Sequence, residues 1–132
     1  MDIQNLAYAL TQVAHNFGAV AVTGGAIAAL YGTEQTQRRL AWLVLAGWSA
    51  QAASGAAFGA VSYYYYSQFP DIHGIAAAAL AVKMICAATG FVLAALCTRQ
   101  RRNKKGCRNA WRSLAALAVT ALTAAAFLRW FS

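Results

Sequence analysis

His15, Gln51, Lys83 and Cys86 are the residues of this 132-residue chain best placed to do chemistry, because each sits inside a long apolar run where a polar group is costly to insert. His73 stands near the edge of one such run. An imidazole can ligate a metal or a haem iron, and a thiol is a ligand for soft metals. A desolvated lysine could accept a hydrogen bond or proton where an ordinary lysine does not. Lys83 is the sharpest anomaly: it lies 16 positions before Arg99 and ten after His73, too far at ~1.5 Å per residue to reach either surface easily. A central lysine is disfavoured by about 3 kcal/mol on insertion scales, so a functional polar site competes with a structural lysine bonded to backbone carbonyls.

Counting from the loops tests which histidine can meet it. His15 precedes Glu34 by 19 positions and Lys83 precedes Arg99 by 16, a mismatch of roughly 4.5 Å, so the two can share a level. His73 precedes Arg99 by 26 positions, which places it about 10 Å further out than His15 and disfavours a bis-histidine haem clamp between them. The expectation is that His15 and Lys83 face one interior with Gln51 nearby and Cys86 a further candidate. The alternative for His15 is a neutral ring satisfied by one hydrogen bond. His73, beside Asp71, suits a helix start or an interface.

Those residues need elements to hold them. Hydrophobic residues make up 61% of the chain and charged ones 11%, roughly half the charged share of a soluble domain, which excludes disorder and argues against a soluble globule. With 33 alanines and ten glycines, the apolar surface is built from small side chains that let helices approach closely in lipid. Four apolar runs, about 6–31, 40–66, 72–97 and 110–131, are each near or above the roughly 20 residues that cross a bilayer. No period-2 alternation suggests a barrel. The expected fold is all-α, a single integral-membrane four-helix bundle. No cleavable leader is expected, since the chain opens with Asp2 and not with a positive segment.

Seven of the eleven basic residues fall in 99–112, and Arg38 and Arg39 follow the first run, whereas 63–73 holds no lysine or arginine. Basic loops stay cytoplasmic, so both termini are expected outside. The 99–112 stretch reads as a loop against anionic headgroups, with no nucleic-acid role. The four tyrosines at 63–66 read as an outer anchor, and Trp111 and Trp130, 19 residues apart, as brackets of the last span about 28 Å apart. Pro70 falls in a loop.

Smooth stripes should form the seams: His15, Gly18, Val22, Gly25, Ala29 and Gly32 on the first run, and Gln51, Gly55 and Gly59 on the second, where Gly55-x-x-x-Gly59 permits close contact. On the third run the stripe is His73, Ala76, Leu80, Lys83, Ala87, Gly90, Ala94 and Cys97. No run contains a carboxylate, and no Ser/His/Asp set, H-E-x-x-H or phosphate-cradling glycine loop appears. A glutamate-based exporter, hydrolytic chemistry and nucleotide chemistry are thereby disfavoured, and no enzyme is expected. Three cysteines without a C-x-x-C pair do not make a disulfide scaffold.

His15 near the start of a helix, Gly24-Gly25 nine and ten residues on, a glycine-bearing second helix, Gly74 ahead of Ala81-Val82-Lys83, and a basic loop before the last helix resemble the copper-resistance D (CopD/PcoD) family of bacterial inner-membrane proteins. The resemblance implies copper handling at the inner membrane with a periplasmic copper carrier as partner. His15 would be a metal ligand, and Met84 and Cys86 are the soft donors at depth. The competing expectation is a haem b-binding or non-catalytic membrane subunit of a larger redox complex, with histidine as axial ligand. The lipid bilayer, other membrane subunits and a homo-oligomer are the remaining candidate partners.

Overall fold

The computed structural model describes residues 3–68, 72–99 and 104–131, and every element among them is helical. The helices are α1 (Ile3–Tyr31), α2 (Glu34–Tyr66), α3 (Gly74–Arg99) and α4 (Lys104–Phe131). Each helix packs on two others: α1 on α2 and α4, and α3 on α2 and α4. The bundle is therefore four-square in section, with α1 diagonal to α3 and α2 diagonal to α4. The most extensive packing is within the two hairpins, α1–α2 and α3–α4.

Local chemistry sets the ends. Thr33, extended at φ −66° and ψ 165°, caps α2 by accepting from the Thr36 N–H at 3.3 Å, an N-cap arrangement that satisfies a donor with no partner inside the helix. Gln37 Nε2 turns back to the Ala29 carbonyl at 2.8 Å, adding to the long 3.4 Å bond that this carbonyl takes from the Gly32 N–H at the end of α1. At the other end Ser67 is left-handed (φ 54°) and donates its N–H to the Tyr63 carbonyl at 2.8 Å, which closes the last turn of α2. The α2 and α4 helices start earlier than the apolar runs because membrane-crossing apolarity marks a span and not the helix carrying it. Their polar first turns extend beyond it. Arg99 accordingly belongs to α3, and Arg108 and Arg112 to α4. Part of the expected 99–112 loop is thus helix, and 100–103 lie outside the described residues, as do Asp2, Pro70 and Asp71.

The main core fills the half of the bundle near the α1–α2 turn and the start of α4. Val22, Ala26 and Ala29 meet Ala41, Val44 and Trp48, with Cys86 and Ala94 from α3 and Trp111, Leu114, Ala118 and Ala121 from α4. Close approach at the seams depends on glycine at particular points. A Cβ on Gly18 would stand 3.1 Å from the Gly47 carbonyl, and one on Gly47 would stand 3.1 Å from the Gly18 carbonyl. A Cβ on Gly90 would run into the Trp48 indole. The expected Gly55-x-x-x-Gly59 contact is not made: nothing lies within 4 Å of a Cβ at either position. The inward stripe of α2 runs through Ala41, Val44 and Trp48; Gly55 and Gly59, seven and eleven residues after Trp48, share its face within about 20°, so the contact is missing because no neighbour comes close at their level and not because they are turned away. Trp111 is also corrected. It is 1% exposed within the core because its period continues through Leu114, Ala118 and Ala121, whereas Trp130 is 83% exposed.

Three helices, Ile3–Tyr31, Gly74–Arg99 and Arg108–Phe131, are long and apolar enough to cross a membrane. The α2 helix is less apolar, carrying Ser49, Gln51 and Ser54, but it packs extensively against α1. Phe17, Val20, Trp42, Ile85 and Val92 all face outward, an apolar exterior that suits a lipid bilayer. The four tyrosines are exposed at the end of α2, where the Tyr66 hydroxyl accepts from Gln4 Nε2 at 2.6 Å and ties that end to α1.

Candidate functional site

One polar chain crosses the bundle beyond the core. Lys83 Nζ lies 2.9 Å from His15 Nε2, and His15 Nδ1 lies 2.7 Å from Ser54 Oγ. Ser54 donates in turn to the Ala50 carbonyl at 2.5 Å, and Gln51 Nε2 donates to the His15 carbonyl at 2.5 Å. With Lys83 as the ammonium, which can only donate, these contacts take one set of directions. The single Ser54 proton goes to Ala50, so Oγ accepts from His15 Nδ1–H. The neutral ring then has a lone pair at Nε2, and Lys83 must be the donor there.

The placement follows from the helix faces. Gln51 and Ser54 are one turn apart on α2 and continue the inward stripe, while Gly18, one turn from His15, lets α2 come near enough for the Gln51 amide to reach the α1 backbone. The edge of the His15 ring meets Phe58 at a centroid distance of 5.9 Å, and Phe58 is stacked on Tyr8 at 6.3 Å. His15 and Lys83 are half-buried and Ser54 is buried. No direct backbone packing joins α1 to α3, so the Lys83–His15 bond bridges the diagonal.

The structure thus brings together His15, Lys83 and Gln51, and adds Ser54, which the sequence reading missed. Its position three residues after Gln51 was the available signal, a weak one because a helical serine ordinarily satisfies itself on its own backbone. Cys86 lies one turn from Lys83 toward the core and is buried among apolar side chains. His73 is exposed just before α3, its carbonyl accepting from the Ala76 N–H at 3.2 Å. Ten residues of separation put it about 15 Å along the axis from Lys83.

The donors do not fit a resident copper or bis-histidine haem site. Both His15 nitrogens are spent, Met84 points outward at 64% exposure, and no three His, Cys, Asp or Glu side chains converge among the described residues. An apolar groove of about 400 Å³ lies along α3 and α4, lined by Ile75, Val82, Val119 and Phe127 among others, without His15 or Lys83. Chemically, the arrangement can relay hydrogen bonds and present a lysine that no described carboxylate faces. Glu34, the only acidic residue described, is 17 positions from Gln51, about 25 Å along α2. No family model matches this chain, and no curated protein or solved structure matches it either.

Proposed function

We propose that this chain is a non-enzymatic integral-membrane protein that gates or moves a small charged solute, with the Lys83–His15 bond as the latch between its two helical hairpins. The observation that carries this reading is the bond itself, which joins α3 of one hairpin to α1 of the other across the diagonal at 2.9 Å. The core is concentrated toward the basic end, so that end acts as the pivot and the far end separates when the latch breaks. The protein belongs in a bacterial inner membrane with both termini on the periplasmic side, because the basic residues gather at the opposite end.

Spin labels at Val13 and Ile75, both exposed and on the two diagonal helices, test the latch in nanodiscs. His15→Gln and Lys83→Met should each lengthen and broaden this distance, while a pair at Ala28 and Leu96 near the pivot stays unchanged. An unaltered Val13–Ile75 distance in both variants refutes the reading.

The copper handling implied by the family resemblance is the second reading, favoured by the imidazole of His15 at depth. Copper would be cargo and not a resident group, and the partner would be a periplasmic copper carrier. Cells expressing the chain should then change their copper content, and His15→Ala should abolish the change. A Soret band in the purified protein would instead favour the haem-subunit alternative.

A further inference from the structure

The latch leaves one charge unanswered. A lysine ammonium has three N–H donors, of which the structure spends one, on His15 Nε2. The neighbouring elements bring no negative group to this level. The α1 helix offers His15 and, two turns further out, Tyr8. From α2 come Gln51, whose amide is committed to the His15 carbonyl, and Ser54, whose proton is committed to Ala50. The α3 helix offers Lys83 itself and, one turn away, Cys86. Between Arg112 and Arg129, α4 carries no titratable residue, and its Thr120 and Thr123 hydroxyls donate to their own helix at 2.9 and 3.0 Å.

Protonation makes the deficit larger. His15 Nδ1 already donates to Ser54, so the site open to a second proton is Nε2, where Lys83 now donates. With that proton added, two N–H groups point at each other and the bond cannot persist. A small anion between them restores pairing to both. It would lie on the diagonal between α1 and α3, whose backbones do not pack on each other, and both side chains are half-buried, not sealed.

From this we infer that the Lys83–His15 pair takes up one small monovalent anion together with one proton. The proton goes to His15 Nε2, the ammonium keeps its own protons, and the anion accepts from both, so the charge added by the proton is cancelled by the anion and the net charge of the site is unchanged. This rests on the latch reading and names its solute class. Uptake opens the latch, because the anion replaces the direct bond.

Equilibrium binding of radiolabelled chloride to the full chain in nanodiscs of zwitterionic lipid tests it. Displaceable binding is expected at pH ~5 and should be weaker by about tenfold or more at pH ~8, across the range where histidine changes charge. Lys83→Met and His15→Gln should each abolish it, and His73→Gln, outside the cluster, should retain it. Lys83→Gln, with helix content checked by circular dichroism, replaces Lys83→Met should that variant fail to fold. Binding that is absent at both pH values, equal at both, or retained after loss of Lys83 overturns the inference. If the spin-label distances respond to His15→Gln while chloride does not bind, the solute class fails and the latch stands.

Discussion

Replacing Gly90 by alanine puts the packing of the two hairpins to a quantitative test. The new Cβ would overlap Trp48 Cε2 and stand 2.6 Å from Cζ2 and 2.7 Å from Nε1. All three lie well inside the 3.4 Å at which ordinary contact begins, and close-packed interiors do not absorb such an overlap freely. Trp48 cannot swing aside, being 1% exposed among Val44, Trp111 and Leu114. Overpacking of this kind costs about 1–3 kcal/mol, and the better helix propensity of alanine returns up to about 1 kcal/mol. Gly55→Ala meets nothing within 4 Å and collects only the propensity gain. The same substitution should therefore destabilise at position 90 and be neutral or mildly stabilising at 55, a difference of about 2 kcal/mol. Unfolding in mixed micelles, followed by circular dichroism, measures both, and Trp48→Phe in the Gly90→Ala background should recover part of the loss. Equal stability of the two alanine variants would refute the α2–α3 contact.

Lys83→Met should cost function without costing stability, since losing a hydrogen bond from a charged donor, about 1.5–3 kcal/mol, is offset by removing a lysine disfavoured by about 3 kcal/mol at mid-bilayer; thermal unfolding checks this. Ser54→Ala should destabilise by about 1–3 kcal/mol because His15 Nδ1 loses its acceptor, whereas Ser49→Ala, whose exposed hydroxyl serves only the Leu45 carbonyl, should stay within about 0.5 kcal/mol. In a background with all three cysteines changed to alanine, an impermeant thiol reagent added to intact cells should label a cysteine at Tyr64 and spare one at Gln35; the reverse pattern would invert the orientation.

The four helices and the shared depth of His15 and Lys83 were legible because both follow from counting along apolar runs of fixed rise. What was not legible depended on where along the axis the neighbours come close. Gly55 and Gly59 form an attractive small-residue pair on the same face as Ala41, Val44 and Trp48, yet nothing approaches them at their level, and Gly47 makes the close approach instead. Trp111 was judged by its distance from Trp130, when its own spacing to Leu114, Ala118 and Ala121 marks it as core. Ser54 bonds to the Ala50 carbonyl of its own helix, as serines in helices ordinarily do, and its role depends on the lone pairs that such a hydroxyl still offers a neighbour.

The division of the four tryptophans gives the protein an optical gauge of its own. Trp42 and Trp130 are exposed on the apolar exterior, while Trp48 and Trp111 are buried with indole N–H groups that find no acceptor among the described residues. Quenchers carried on lipid acyl chains should darken the outer pair and spare the inner one, whose emission should lie at shorter wavelength in so apolar a setting. Trp48 sits against Gly90 on the facing hairpin, inside the core that serves as the pivot, so opening at the far end should leave its emission unquenched, and newly quenchable Trp48 fluorescence would mean that the hairpins part at the pivot as well.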